Sequence, residues 1–258
     1  MLRAVIFDMD DTLLDWSEHN ADWNELRREH LRPVVEHLLG LGYELPSLED
    51  IVTVYSDINR AAWESSAPPE WIAPRQYEVL RRTLEQLNLD VEQLDLAHLQ
   101  RLFAWGPMPG VRVFPDAVEV LNTIRGCGVH VGLVTNSSSP MWMRDRELEA
   151  MGLLQYLDVR LTAGDVGHLK PHRRAFEAVL DRLGAQPSEA VFVGDRQQDD
   201  IVGAQQVGMR AVWVRRGTES VVESITPDAT IETLGELPPR LDEWFPGWRY
   251  PVKGATSS

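Results

Sequence analysis

At 258 residues, with 43% hydrophobic and 25% charged residues, the chain can bury the core of a globular protein and carry one substantial insertion. Its 25 basic and 40 acidic residues give a formal net charge of −15, which excludes a broad basic surface for nucleic acid. Cys127 is the single cysteine, so an intrachain disulfide is excluded and a reducing, cytoplasmic setting is expected.

A series of short apolar runs predicts a parallel sheet. The first run, Ala4–Phe7, indicates a buried strand, and it is too short for a signal peptide or a membrane span. No later apolar run is long enough to cross a bilayer. Similar strand-like runs follow at 129–134, 159–161, 190–193 and 211–214, and helix-like segments lie between them at 116–124 and 173–183. This alternation predicts an α/β fold, a Rossmann-like parallel sheet with helices on both faces.

Residues 16–109 interrupt the alternation. Apolar residues recur there at helical spacing in four stretches, the first with Ser17 as its predicted N-cap. Four helices with short connections predict an all-helical cap, inserted into a core formed by residues 1–15 and 110–246. Residues 247–258 contain Gly, Pro and Ser without periodicity, so we expect a mobile or loosely docked tail.

Two acidic residues, Asp8 and Asp10, follow the first predicted strand. Ligand sites of open parallel sheets form at the carboxyl ends of the strands, and residues two apart in an extended segment point the same way. Both carboxylates are therefore expected to face one cavity, where a cation would help to keep one of them ionised. One carboxylate could then attack a substrate while the other moves a proton.

Three further polar sets follow predicted strands or precede predicted helices. They are Thr135-Asn136, Lys170-Pro171, and Gly194-Asp195 with Asp199-Asp200. A hydroxyl and a lysine can bind phosphoryl oxygens, and carboxylates are ligands that Mg²⁺ prefers. Taken alone, Thr-Asn is a common strand-to-turn pair and a lone lysine is usually a surface residue.

Together these sets resemble the motifs of the haloacid dehalogenase superfamily. Residues 7–13, Phe-Asp-Met-Asp-Asp-Thr-Leu, are similar to its first motif, and the other sets lie in the order of its remaining motifs. The resemblance implies that Asp8 is the nucleophile that forms an aspartyl-phosphate, and that Asp10 protonates the leaving oxygen and then activates water. Residues implied to bind the substrate are Asp11, Thr12, Thr135, Asn136 and Lys170, with Thr135 and Lys170 also catalytic and Thr12 buttressing the loop.

The same resemblance implies a magnesium site. Its protein ligands would be Asp8, the backbone carbonyl of Asp10, and Asp195, with Asp200 at the position of the family's later acidic residue. Asp200 is expected to orient the lysine or metal-bound water. The spacing does not show whether Asp199 or Asp200 turns inward.

The second acid favours one reaction within the superfamily. A halide leaving group needs no proton, so Asp10 favours phosphoryl transfer over dehalogenation. A phosphonatase would need an added cap lysine, but the chain has only Lys170 and Lys253. We therefore expect a Mg²⁺-dependent phosphoric monoester hydrolase that acts on a small phosphorylated metabolite, a nucleotide or a sugar phosphate. The first alternative is a phosphomutase of the same fold, and the less favoured ones are a haloacid dehalogenase and a catalytically silent binding module. The sequence indicates no oligomeric state.

The predicted cap is expected to close over the site, exclude water and select the substrate. Its aromatic residues either stack on a substrate ring or form the cap's own core, and its arginines are candidate anion contacts or surface charges. The residues concerned are Trp16, Trp23, Trp63, Trp71, Trp105, Arg60, Arg75 and Arg81.

Overall fold

A parallel sheet organises the part of the chain that the computed structural model describes, residues 1–103, 105–216 and 221–250. The strands are β1 (Ala4–Phe7), β2 (Leu14–Asp15), β3 (Arg112–Val113), β4 (His130–Thr135), β5 (Val159–Thr162), β6 (Ala190–Gly194), β7 (Arg210–Val214) and β8 (Ala229–Ile231). The parallel sheet has the strand order β5-β4-β1-β6-β7-β8, and β2 and β3 form a separate antiparallel pair. The predicted α/β sheet is confirmed, and each predicted strand agrees with the observed one to within a residue at either end.

The register of the central strands brings the polar motifs to one edge. Strand β1 pairs in parallel with β4 and with β6, and Phe7 lies opposite Leu133 and Val193. Asp8 and Asp195 therefore follow neighbouring strands at the same carboxyl edge, next to the end of β4 at Thr135. Strand β8 was not expected from the sequence, since only Ile231 of its three residues is buried.

The two faces of the sheet are covered by different helices, because side chains alternate along each strand. On one face, Val5 and Phe7 belong to a hydrophobic cluster that includes the helices at 117–126 and 237–244. On the other face, Ala4 and Ile6 belong to a cluster that includes the helices at 173–183 and 202–206. The expected helices on both faces are confirmed. The helices are α1 (Trp23–Gly40), α2 (Leu48–Glu64), α3 (Gln76–Gln86), α4 (Leu96–Phe103), α5 (Ala117–Gly126), α6 (Met141–Ala150), α7 (Ala163–Val166), α8 (Arg173–Leu183), α9 (Val202–Gln206) and α10 (Leu237–Trp244), with a π-helix at Gln197–Ile201.

Helices α1 to α4 lie between the two strands of the antiparallel pair. They share a hydrophobic core, which includes Leu31, Leu38, Leu80 and Leu99 and receives Met143 from α6. Asp15 of β2 lies opposite Arg112 of β3, where the chain leaves and re-enters the sheet region. We infer that α1 to α4 form the inserted cap, with the β2–β3 pair as its stem.

Two details bear on the sequence expectations. Ser17 does not cap a helix: its backbone N–H donates to Asp15 Oδ1, and α1 begins at Trp23 with Asp22 as its N-cap, whose carboxylate accepts from the Asn24 N–H. Within the predicted tail, Trp248 is 3% exposed and packs in the core, so this residue is docked rather than mobile. Residues 251–258 of that predicted tail lie outside the described residues.

Nothing in the described helices indicates a membrane crossing. None of them combines the length and the apolar character that such a crossing requires.

The packing beneath the sheet is testable at Phe176. Its side chain is fully buried and contacts Phe192 in an edge-to-face pair with ring centroids 5.0 Å apart. Phe176→Ala should lower the free energy of unfolding in urea by about 3–5 kcal/mol, because it removes buried area and leaves a cavity. Val118→Ala, at a side chain that is 39% exposed, is the control and should change it by less than about 0.5 kcal/mol. A loss below about 1 kcal/mol at Phe176 would contradict this packing.

Candidate active site

A buried lysine joins two buried carboxylates at the carboxyl edge of the sheet. Lys170 Nζ lies 2.5 Å from Asp8 Oδ1 and 2.7 Å from Asp200 Oδ1. All three side chains are buried, Lys170 being 2% exposed and Asp200 fully covered. Charges in such a site interact more strongly than in water, so the lysine stays protonated between its two partners. Their attraction raises the pKa of Lys170 against the opposing effect of burial.

The backbone around Lys170 is held by Asn136. The asparagine side chain accepts from the Lys170 N–H at 2.8 Å and donates to the Lys170 carbonyl at 3.0 Å. Both functions of the amide are therefore used within the protein. Asn136 also lines the cavity described below, but these bonds give it the role of fixing the lysine loop.

Asp8, Asp195 and Asp200 form a group that suits a cation. One carboxylate oxygen from each lies within 4.8 Å of the others, and all three residues are buried. Trp213 Nε1 donates to the Asp195 backbone carbonyl at 2.7 Å, and Thr12 Oγ1 lies 3.3 Å from Asp195 Oδ1. Among the described residues, Lys170 is the ammonium that contacts Asp8 and Asp200, and an oxygen-only donor set is the kind that Mg²⁺ binds. The residues present therefore fit a magnesium ion.

The acidic pair is resolved in favour of Asp200. Its Oδ2 accepts from the Arg196 N–H at 3.0 Å, while the Asp199 carboxylate pairs with the Arg196 guanidinium at 3.0 Å and is partly exposed. Gly194 makes this arrangement possible, since a Cβ at that position would overlap the Asp200 carboxylate. Asp200 therefore faces the site, and Asp199 faces outward.

Asp10 lies apart from the buried lysine, at the wall of a cavity. Its Oδ1 accepts from Trp16 Nε1 at 2.8 Å and from Arg144 Nη2 at 2.7 Å, while Thr135 Oγ1 lies 3.4 Å from its Oδ2. Arg144 is 5% exposed and also pairs with buried Glu147 at 3.3 Å. Arg144 and Glu147 were not predicted from the sequence as site residues. The available signal was two opposite charges three residues apart on a helix following the second motif, which usually mark a solvated face.

Burial changes the acidity of two of these carboxyl groups. It raises the pKa of Asp8 to about 7, although Lys170 acts to lower it. It also raises the pKa of Glu147 to about 7, again against the effect of a neighbouring cation, Arg144. Burial thus favours the neutral form of both groups relative to the same groups in water.

The remaining predicted residues in the first motif hold the loop itself. Asp11 has φ 58° and accepts from the Trp16 N–H at 3.3 Å, while Thr12 is fully buried. Arg216 donates to the backbone carbonyls of Asp11 and Thr12 at 3.3 and 2.9 Å. Thr12 is not among the residues that line the cavity, whereas Asp11 lines it.

A cavity of about 470 Å³ lies between the helical segment and the sheet edge. Asp10, Asp11, Asn136 and Arg144 line it on the sheet side. Its other walls are mostly aromatic, with Trp16, Trp23, Tyr55, Trp63, Phe103 and Trp105 among the lining residues. Trp71 packs elsewhere, and the candidate anion contacts Arg60, Arg75 and Arg81 do not line this cavity.

Comparison with known proteins agrees with this geometry. The family model for haloacid dehalogenase-like hydrolases matches residues 2–208. A glyceraldehyde 3-phosphate phosphatase from Methanopyrus kandleri is 29% identical over 92% of this chain and 96% of its own length. The chain belongs to the haloacid dehalogenase-like hydrolase family.

Solved structures show the same fold. A phosphatase of this family from Thermococcus onnurineus has a TM-score of 0.57 at 28% identity, covering 93% of this chain and 98% of its own. A 2-haloacid dehalogenase from Pseudomonas syringae has a TM-score of 0.62 at 27% identity, covering 95% and 100%. Further curated relatives at 29% identity are also named phosphatases. Within the family, the chain is a phosphoric monoester hydrolase, as its sequence predicts.

The two neighbouring acids provide a matched test of the site. Asp200→Asn should lower kcat/KM for phosphate ester hydrolysis by at least about a hundredfold, because it removes a charge beside Lys170 and from the carboxylate group. Asp199→Asn should change it by less than about threefold, since its partner is an exposed arginine. Equal losses in the two variants, measured by steady-state kinetics, would contradict the inward assignment of Asp200.

Glu147 generates a prediction about stability and pH. Its folded pKa of about 7 lies above the ordinary value of 4.5, so the folded protein holds this proton more tightly. The stability it contributes is complete below pH 4.5 and is lost as the pH rises through 7. Between pH 4.5 and pH 7, the free energy of unfolding of Glu147→Gln in urea should rise relative to that of the unsubstituted protein, by up to about 3 kcal/mol. A difference that does not vary with pH would contradict the raised pKa.

Proposed function

We propose that the protein is a Mg²⁺-dependent phosphatase that hydrolyses a small phosphorylated metabolite through an aspartyl-phosphate on Asp8. The observation that carries this proposal is the buried contact of Asp8 with Lys170, beside the carboxylates of Asp195 and Asp200. This edge of the sheet thus combines the proposed nucleophile, Asp8, with the ammonium of Lys170 and with an acidic group that would bind a metal cation. Asp10 adds a second acid on the cavity side.

The proposed reaction has two steps. An Asp8 carboxylate oxygen attacks phosphorus, the bond from phosphorus to the leaving oxygen breaks, and Asp10 donates a proton to that oxygen. In the second step Asp10 takes a proton from water, whose oxygen attacks the phosphorus of the aspartyl-phosphate and releases inorganic phosphate and Asp8. In this proposal Lys170 and Thr135 bind phosphoryl oxygens, and their bonds stabilise the charge that is shared in the transition state.

Asp8, Asp195 and Asp200 are the side chains that would hold Mg²⁺ or the water bound to it. When bound, the ion would neutralise charge on the phosphate and on the carboxylate group. A phosphate monoester brings close to two negative charges to a site with three carboxylates and one ammonium. Repulsion in this buried site would amount to several kcal/mol without added positive charge.

The substrate is proposed to be a nucleotide or a sugar phosphate. The cavity is of the size that holds a small-molecule ligand, and Asp10 at its wall is placed beside the leaving group. The relative from Methanopyrus kandleri, named for glyceraldehyde 3-phosphate, supports a small phosphorylated substrate.

Other reactions of this fold are less well supported. The dehalogenase from Pseudomonas syringae shares the fold, but the second acid at Asp10 suits a leaving oxygen that must be protonated. A phosphomutase would use the same core residues and differ in how its cap controls water. A silent binding module is disfavoured because the proposed nucleophile, acid and lysine are all retained.

Substitution of the proposed nucleophile tests this function. Asp8→Asn should lower Mg²⁺-dependent hydrolysis of an aryl phosphate by at least about a thousandfold, because an amide cannot form the acyl phosphate. Removing divalent cations with EDTA should abolish the activity of the unsubstituted enzyme, and adding Mg²⁺ should restore it. Asp181→Asn, at an exposed position on α8, is the control and should retain full activity. Equal rates for Asp8→Asn and the unsubstituted enzyme would exclude Asp8 as the nucleophile.

A further inference from the structure

The cavity beside Asp10 is where the leaving group of a phosphate ester would lie. In the proposed reaction Asp10 protonates the leaving oxygen, and its carboxylate faces this cavity rather than the buried Lys170. The part of the substrate that departs must therefore extend away from Asp8 into the space of about 470 Å³. The walls of that space determine which leaving group fits.

Tryptophan faces dominate these walls. The Trp23 ring is nearly parallel to those of Trp16 and Trp105, with centroid distances of 6.3 Å to each and interplanar angles of 18° and 19°. It also contacts the His19 ring at 5.3 Å. Trp23 remains 44% exposed although it lines the cavity, so part of its surface is open to a ligand. Nearly parallel indole faces favour a flat aromatic group, which can stack on them.

The polar groups in the cavity suit the edge of a heteroaromatic ring. Asn59 and Gln76 contribute amides to the lining. Gln76 is 2% exposed and its Oε1 accepts from Gln100 at 2.8 Å, while its Nε2 lies near the Tyr55 hydroxyl without a hydrogen bond of ordinary geometry. A buried donor without such a bond is costly, and a ring nitrogen or carbonyl of a ligand would satisfy it.

The charges in the cavity disfavour a second anionic group. Two carboxylates, Asp10 and Asp11, are balanced there by two guanidiniums, Arg27 and Arg144. Arg144 is already paired with Asp10 and Glu147. A bisphosphate or a phosphorylated amino acid would bring a second anion to a space with no excess positive charge.

From the indole faces, the Gln76 amide and the charge balance, we propose that the leaving group carries a nucleobase and that the substrate is a nucleoside monophosphate rather than a sugar phosphate. This inference rests on the proposed phosphatase function. The base stacks on the Trp23 face, and its polar edge accepts from Gln76 Nε2.

The test compares substrates that share the scissile bond. Nucleoside 5′-monophosphates and ribose 5-phosphate carry the same ester and differ in the base. For at least one base, kcat/KM should exceed that of ribose 5-phosphate by about tenfold or more. Trp23→Ala should lower nucleotide kcat/KM at least about fivefold and change ribose 5-phosphate hydrolysis by less than about twofold. Trp142→Ala, 41% exposed and outside the cavity lining, is the matched control and should leave both rates unchanged.

Acetyl phosphate, a small substrate without a ring, is included as a further substrate. With it, failure of the substrate inference and failure of the phosphatase function give different results. Hydrolysis of acetyl phosphate or ribose 5-phosphate with no preference for any nucleotide would overturn the substrate inference and leave the phosphatase function standing. An equal loss on nucleotide and ribose 5-phosphate in Trp23→Ala would also overturn it. Absence of hydrolysis of all these phosphates in the presence of Mg²⁺ would overturn the proposed function itself.

Discussion

The structure depends on holding three carboxylates and one ammonium together beneath the surface. Lys170 contacts Asp8 and Asp200 within 2.7 Å, and Asp195 completes the acidic group. Like charges at such spacing repel strongly in a protein interior, so the arrangement persists only where other bonds impose it. Here they are imposed by adjacent parallel strands, by the Asn136 bonds around Lys170, and by Gly194, which leaves room for Asp200. The unbalanced negative charge gives the site its capacity for a cation.

The functions proposed for the two acids of the first motif follow from their different surroundings. Asp8 is buried against Lys170, where it can act on a phosphoryl group that is bound by a lysine. Asp10, two residues later, faces the cavity and is held by Trp16 and Arg144. Trp16 comes from the chain that enters the helical segment, so the same contact links Asp10 to the region that encloses the leaving group. Chemistry and substrate selection are therefore physically connected at Asp10.

The sheet could be predicted because buried parallel strands are short apolar runs. Asp8, Thr135 and Asp195 could be placed because they end or follow such runs, whereas Lys170 could be placed because it precedes a predicted helix. Arg144 and Glu147 could not be predicted, since their burial results from packing between α6 and the helical segment, which no local pattern encodes. Strand spacing also could not distinguish Asp199 from Asp200. A π-helix at Gln197–Ile201 sets the directions of these two side chains. The bonding partners of Thr12 and Asn136 could not be predicted either, because hydroxyl and amide groups bond equally well to a substrate or to the protein.

The central claim is that Asp8 itself becomes phosphorylated, and direct detection of that bond tests it most closely. In Asp10→Asn the base for hydrolysis is removed, so an acyl phosphate formed from an activated aryl phosphate should accumulate. Rapid acid quench followed by peptide mass spectrometry should then find one phosphoryl group on Asp8 in the peptide that contains residues 4–16. A phosphoryl group on any other residue, or release of phosphate in a single turnover without a phosphorylated peptide at any time point, would contradict the account.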